Sequence, residues 1–262
     1  MKARILGISG SPRRGNTDIA VKEALAGAEE VKDVETEFYS IVGKKLNPCL
    51  GDFKCGLGPP ASSDNPCPTN GVDDIVKLVK KMEEFDGFIV GTPVYIGTVT
   101  AQLKMIIDRA IMMTEGGELG PLSLRNKVMG VVVSAWDRNG GHDMAIIDIW
   151  RWAVLHDMMV IGVGPERIDC NNYWGGCVIS SYANTHPDGG KGLWFGEPNS
   201  EAERTGVKFD KQGLAQCRNS GRRVAELSKV MKAGFDTLPR EETYWERGKA
   251  GGFTGTGWGT QV

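Results

Sequence analysis

The sequence predicts an open, doubly wound α/β domain: a parallel sheet covered by helices on both faces, forming three layers. Three observations carry this. Short, continuously apolar runs alternate with stretches of helical periodicity, the pattern of strands buried on both sides. Loops bearing Gly, Ser, Pro or Asn separate the runs from the helices, as βα connections require. The length, 262 residues, suits one large α/β domain with insertions, and no internal repeat is visible.

The elements follow in order. "KARILGIS" reads as the first buried strand, and "TDIAVKEALAGAEEV" places apolar residues at helical spacing. "VETEFYSIV" is a second strand with β-branched and aromatic content. Residues 43–71 are punctuated by Pro, Gly, Asn and Cys and interrupt the plan. "VDDIVKLVKKMEEF" is a helix with Asp73 and Asp74 in its first turn, where the helix dipole favours acids. "GFIVGT" is the third strand, and "TAQLKMIIDRAIMM" carries Leu103, Ile106, Ile107 and Ala110 on one face. "KVMGVVVSAW" is the fourth strand, "HDMAIIDIWRWAVLHDM" a helix and "MVIGVG" the fifth strand. A long aromatic and Gly-rich stretch, 165–206, precedes the last helix, "KQGLAQCRNSGRRVAELSKVMKAG".

Composition narrows the function classes. The net charge of -2 leaves no basic field for nucleic acid or an anionic membrane. The first apolar run is too short for a signal peptide, and no segment approaches the ~20 apolar residues of a membrane span. A cytoplasmic protein without membrane insertion is expected. Six cysteines in such a chain do not form a disulfide framework.

The first strand leads into "GSPRRGNT" and then a helix. In an open parallel sheet, that position is where ligands bind. Backbone N–H groups, a helix N-terminus, the hydroxyls of Ser9, Ser11 and Thr17, and Asn16 form a nest for a phosphate, with Arg13 adding charge. The loop lacks both G-x-x-x-x-G-K-[ST] and G-x-G-x-x-G, which points to a phosphate monoester rather than a triphosphate or dinucleotide. Alone, the loop reads equally well as a connecting turn. The motifs that follow break the tie.

"GSPRRGNT" resembles the phosphate loop of the NADPH-dependent FMN reductase family. "GTPVYIGTVTAQLKMIIDR" is similar to that family's second flavin loop and its helix, "SAWDRNGGH" stands where its third loop lies, and "GLAQCRNSGRRVAEL" resembles its last helix. The resemblance covers roughly residues 1–162 and the final helix. It implies a flavodoxin-like fold with five parallel strands in the order 2-1-3-4-5. It further implies that Ser9, Ser11, Arg13, Asn16 and Thr17 hold the FMN phosphate, that Pro93, Val94, Tyr95 and Gly97 border the isoalloxazine ring, and that Ser134, Gly140 and Gly141 belong to the loop closing over it. Backbone amides beside Pro and Gly can approach a flavin edge, and Tyr95 offers an aromatic wall with a polar tip.

Within the same superfamily the chain resembles iron–sulfur flavoproteins, which insert a compact cysteine motif between the second strand and second helix. Short C-x2-C-x2-C steps bring soft ligands round one cubane cluster. In "NPCLGDFKCGLGPPASSDNPCPTNG", Cys49 and Cys55 match the first and third positions, and Cys67 the fourth after a longer spacer. Asp52 stands at the second, a harder ligand than thiolate that weakens one corner. Three readings stay open: a [4Fe–4S] cluster with Asp52 or solvent at one corner, a [3Fe–4S] cluster on three Cys, or no cluster and a loop that shapes the flavin pocket. Zinc fits poorly, because no C-x-x-C pair or His lies nearby.

The remaining groups suggest no protein nucleophile. His142, His156 and His186 form no metal or triad pattern; Cys170, Cys177 and Cys217 read as structural, Arg222 and Arg223 as a solvated helix face, Trp150 and Trp152 as packing, and Asp108–Arg109 as a structural ion pair or subunit contact. Flavin supplies its own chemistry, which agrees with this absence. The expected organisation is a flavodoxin-like FMN domain over 1–234, with insertions at 43–71 and 165–206 and a tail, 235–262, that packs on a neighbouring subunit. The expected activity is FMN-dependent transfer of hydride or electrons from NAD(P)H or a protein donor to a flavin, quinone or redox protein; the alternative is an electron carrier between protein partners. A homodimer or homotetramer is expected from the resemblance.

Overall fold

The computed structural model describes residues 2–55, 64–113, 123–137, 139–164, 173–180 and 201–239. The elements run β1 (Ala3–Ser9), α1 (Asn16–Glu29), β2 (Val34–Ser40), α2 (Asp74–Met82), β3 (Gly87–Pro93), α3 (Ala101–Arg109), β4 (Val128–Ala135), α4 (His142–Leu155), β5 (Met159–Val160), β6 (Gly176–Ile179), α5 (Glu201–Thr205) and α6 (Lys211–Thr237). Short 3₁₀ turns follow α3 and α5. Cys170, His186, most of 165–206 and the tail from 240 lie outside the described residues.

The strands pair in parallel in the order β2-β1-β3-β4-β5. The fifth strand differs from its expected length. It holds only Met159–Val160 against Val128–Met129, and β6 pairs with the other end of β4, Val132–Ala135. One edge position is thus filled by two segments. The chain leaves the sheet after Ile161, whose N–H still reaches Met129 O, and returns at Tyr173, whose carbonyl accepts from Val163 N. The eight residues of β4 are all buried, and β6 covers the part of its edge that β5 leaves.

Alternation along the strands feeds two cores. Leu6, Ile8, Phe88, Val90, Val131 and Val133 pack with Ile75 and Leu78 of α2, Leu103 and Ile106 of α3, and Ile146 and Trp152 of α4. Ile5, Ile89, Val128 and Val132 pack on the opposite face with Val21 and Leu25 of α1 and Val224 of α6. These are the three layers that the periodicity predicts.

On that second face α1 and α6 cross backbone to backbone. A Cβ on Gly221 would lie 1.7 Å from Ala24 O, and one on Gly27 2.0 Å from Arg218 O. Around the crossing Arg218 bridges Glu23 and Glu30 at 2.7 and 2.6 Å, and Arg222 reaches Glu30 at 3.0 Å. The arginines are engaged here rather than with a ligand.

Gly221→Ala tests this crossing. Ala gains about 1 kcal/mol in intrinsic helix propensity, but its methyl meets a carbonyl that cannot rotate away, and overpacking of that kind costs about 3 kcal/mol. The clash wins, so urea unfolding should show a net loss of about 2 kcal/mol; a neutral or stabilising result would mean that the helices do not touch here.

Candidate functional site

Three loops meet at the carboxyl ends of β1, β3 and β4, and backbone bonds join them. Gly10 N donates to Gly91 O at 2.7 Å, and Val94 N to Ser134 O at 2.8 Å. Thr100, the N-cap of α3, accepts from Leu103 N and donates to Gly10 O at 2.6 Å. The hydroxyls of Thr17 and Ser134 lie 2.9 Å apart and buried, tying the first loop to the third.

These ties enclose a pocket of about 140 Å³. Of the residues expected there, Ser11, Arg13, Asn16, Thr17, Pro93, Val94, Tyr95 and Ser134 line it. Ser9 does not: it is fully buried, and its hydroxyl donates to Asp18 Oδ1 at 2.6 Å. The Ser11 hydroxyl turns into its own loop, donating to Arg13 O and accepting from Arg13 N, which fixes the loop's shape. Asn16 Oδ1 accepts from Val207 N at 3.2 Å, so this side chain also anchors the segment that follows α5.

Gly97 is not in the wall but in a tight turn beside it. Tyr95 and Thr98 pair across Ile96 and Gly97, both at positive φ as a primed hairpin turn requires. For a fully exposed β-branched residue such as Ile96 that conformation costs about 1–3 kcal/mol. The Thr98 hydroxyl donates to Asp148 of α4, which holds the turn. Gly141 sits against it: a Cβ there would come 3.0 Å from the Gly97 Cα. Gly140 closes a turn through its N–H on Asp137 O.

Four lining residues escaped sequence reasoning: Arg14, Trp136, Ser180 and Arg204. Arg14 lies within the quoted loop, and Trp136 ends the apolar run of β4, so local signals existed for both. Ser180 and Arg204 reach the pocket only through the folding of β6 and α5, which no local pattern reports. The pocket therefore carries three arginines, of which Arg14 has Asp18 at 3.9 Å.

A phosphate fits this mouth. The N-cap of α1 is Gly15, at φ 144°, with no side-chain cap. Its Cβ position is taken by Arg204 O, 2.5 Å away. A fourteen-residue helix thus presents its positive end, with no side-chain cap from Gly15, beside Arg13, Arg14 and Arg204.

A second cavity, about 500 Å³, lies elsewhere on the same side of the sheet as α3. Cys49, Asp52, Cys55 and Cys67 all line it, with Arg109 and Met112. Cys49 is exposed, and Cys55 and Cys67 are half-buried. Burial first, and then the neighbouring Cys67, Cys49 and Asp52, push the Cys55 thiol up. Asp52 accepts from the Thr69 hydroxyl, which holds its carboxyl below the usual range. Among the described residues these groups do not close to metal-coordinating geometry. As a donor set, three soft thiols and a carboxylate on one cavity wall fit an iron–sulfur cluster.

Arg109 pairs with Asp73, both fully buried, rather than with its neighbour Asp108, which takes Lys104. Asp73 is also the N-cap of α2, accepting from Ile75 N and Val76 N. His142 Nε2 faces Val178 O at 3.0 Å, and His156 lies between the carbonyls of Trp152 and Ala110. Trp152 is core, and Trp150 packs edge-on against Trp174. Burial raises the Cys177 thiol to about 12 and the Cys217 thiol well above its ordinary value.

The model for the NADPH-dependent FMN reductase family matches residues 3–164, which include all three loops. The chain belongs to the NADPH-dependent FMN reductase family. It is a flavin-dependent oxidoreductase with FMN as cofactor, and the first pocket stands where flavodoxin-like sheets bind ligands. An iron-sulfur flavoprotein of Methanocaldococcus jannaschii is 38% identical over 230 residues, 87% of this chain and 99% of that protein. An iron-sulfur flavoprotein of Archaeoglobus fulgidus is 30% identical over 228 residues, 87% of this chain and 98% of that one. The solved structure of a WrbA-like flavodoxin of Agrobacterium tumefaciens superposes with a TM-score of 0.51 at 14% identity, covering 88% of this chain and 99% of that one, a likeness of fold. No described helix is long and apolar enough to cross a membrane.

Thiol labelling checks the two environments. Iodoacetamide reacts with thiolate, so mass spectrometry of briefly treated, folded protein stripped of iron should find Cys49 modified first and Cys55 more slowly. Cys177 and Cys217 should label only after unfolding; native labelling of Cys217 at the rate of Cys49 would contradict this packing.

Proposed function

We propose that the protein is an electron-transferring FMN protein that also carries an iron–sulfur cluster in its cysteine cavity, taking electrons from NAD(P)H or a redox protein and handing them to a redox acceptor. The observation that carries this reading is the placement of the two cavities. Helix α3 begins at Thr100, bonded to the phosphate loop at Gly10, and ends at Arg109 in the wall of the cysteine cavity. Nine residues of helix span about 14 Å. A single rigid element therefore sets the separation of the two sites.

When bound, FMN supplies hydride and one-electron chemistry. The chain's part is to bind and orient it. Arg13, Arg14, Arg204, Thr17 and the N-terminal end of α1 take the phosphate through charge-assisted bonds. Pro93, Val94, Tyr95 and Trp136 stand beside the ring, and the Ile96–Gly97 turn and Gly141 shape its edge. Cys49, Cys55, Cys67 and Asp52 hold the cluster, with Asp52 as the weak corner. The relatives named iron-sulfur flavoproteins, matched over nearly their whole length, support this reading over a reductase without a cluster.

Purification without oxygen, followed by flavin, iron and acid-labile sulfide analysis, tests it. Flavin with iron and sulfide supports the reading; flavin alone, bleached rapidly by NADH or NADPH, replaces it with a simple reductase. Two variants refine the outcome. Arg13→Ala removes a charged hydrogen bond and should weaken FMN binding about 10- to 100-fold in a fluorescence titration. Asp52→Cys supplies a fourth thiolate, and the iron should then leave to a chelator more slowly than from the wild type. Faster or equal loss would remove Asp52 from the ligand set.

A further inference from the structure

Cys67 enters the cysteine cavity on a turn that folds back toward Cys49. Gly71, at φ 63°, donates its N–H to Cys67 O at 2.9 Å and closes residues 67–71 into that turn. Two side chains tie it to the arm that carries Cys49 and Asp52. The Thr69 hydroxyl donates to Asp52, and Asn70 Nδ2 donates to Pro48 O at 3.0 Å. Asn70 Nδ2 also donates to Cys67 Sγ at 3.8 Å, a long bond of the kind that sulfur's large radius allows. Asn70 is half-buried and lines the cavity together with Cys49, Cys55 and Cys67.

The orientation of the amide follows from its partners. Pro48 O can only accept, so the NH₂ end must face it; the reverse orientation would set the amide oxygen against a carbonyl oxygen and a sulfur. A primary amide carries two donors, and here one is spent on Pro48 O and the other on a thiol, a weak acceptor. A cysteine that ligates a metal is a thiolate, and the same N–H then meets an anion in a charge-assisted bond. Gly51 N donates to Cys49 Sγ at 3.4 Å in the same manner, but from the backbone.

We propose that Asn70 is a positioning residue for the cluster: its amide fixes the arm of Cys49 against the turn of Cys67, donates to the Cys67 thiolate and raises the cluster's reduction potential. This rests on the reading that the cysteine cavity takes a cluster. Hydrogen bonds to cluster sulfur favour the more negative, reduced form, which gives the direction. Partners of this kind, one shell beyond the ligands, orient them and tune the metal.

The test compares the wild type, Asn70→Ala and Asn70→Asp, each as the whole chain reconstituted without oxygen with ferrous iron and sulfide. Flavin content checks folding. The readouts are iron and sulfide content, resistance to a chelator, and the cluster midpoint from a dithionite titration followed by electron paramagnetic resonance. Alanine removes the amide, whereas aspartate keeps its shape but turns an acceptor toward the sulfur. Both variants should keep their flavin, and the chelator concentration that strips half the iron should fall about tenfold. The midpoint should drop below the wild-type value in Asn70→Ala and further in Asn70→Asp. An amide that merely holds the loop would loosen the iron yet leave the midpoint of Asn70→Ala at the wild-type value, and that result overturns the proposal. Should Asn70→Ala lose its flavin or its cluster, the wild type decides. Asparagine labelled with the heavy nitrogen isotope should then change a nitrogen coupling in pulsed electron paramagnetic resonance of the paramagnetic cluster; a spectrum that the label leaves unchanged overturns the role. Wild-type protein that takes up flavin but no iron or sulfide overturns the cluster reading itself, an outcome distinct from a bound cluster indifferent to Asn70.

Discussion

The buried pair of Asp73 and Arg109 holds three parts of the molecule to one another. Two charges taken out of water repay their desolvation only when the geometry is good and the other lone pairs are filled. Asp73 meets that condition by capping α2 with one oxygen and gathering Arg109 and Asn47 with the other. Removing one partner leaves a buried charge alone, at a cost of about 3–5 kcal/mol. Of the described residues around Cys49 and Cys55, Leu46 and Cys55 pack against the core while Cys49 is exposed. The place of this stretch on the protein depends on the polar anchor.

The pocket at the strand ends is built on a different principle. Its loops are joined by main-chain bonds from Gly10 to Gly91 and from Val94 to Ser134, with Thr17 and Thr100 adding side-chain ties. Such bonds use groups that every residue carries, so the architecture depends on where strands end more than on which side chains are present. Side chains enter where charge is needed, and the arginines come from two distant segments, the first loop and α5. Ile96 shows the same division. Its backbone is forced into a conformation costly for its type, and the cross-turn pairing and the bond from Thr98 to Asp148 hold it there.

Much of this was legible residue by residue. Buried strands announce themselves as unbroken apolar runs, and β1, β3 and β4 fall where those runs lie. Helices with strong apolar stripes, α2 and α3, were equally plain, as was the acidic start of α2, although Asp73 proves to be a cap more than a dipole partner. The split of the fifth sheet position was not legible. "MVIGVG" has the composition of a full strand, yet only two of its residues join the ladder, because β6 takes the upper half of β4. The last helix runs to Thr237, three residues past the apolar pattern's end at Gly234, because its exposed final turn needs no apolar face.

By itself, the sequence determined the layered α/β fold, the three loops at the strand ends and the clustering of Cys49, Asp52, Cys55 and Cys67 in one insertion. These follow from periodicity, turn residues and short spacing, all of which act over a few residues. Only the tertiary structure decided that Arg109 pairs with Asp73 instead of Asp108, that Arg204 and Ser180 reach the pocket at the strand ends, and that α3 joins the two cavities. Each of these is set by which helix packs on which face of the sheet, and contacts of that kind leave no trace in the spacing of neighbouring residues.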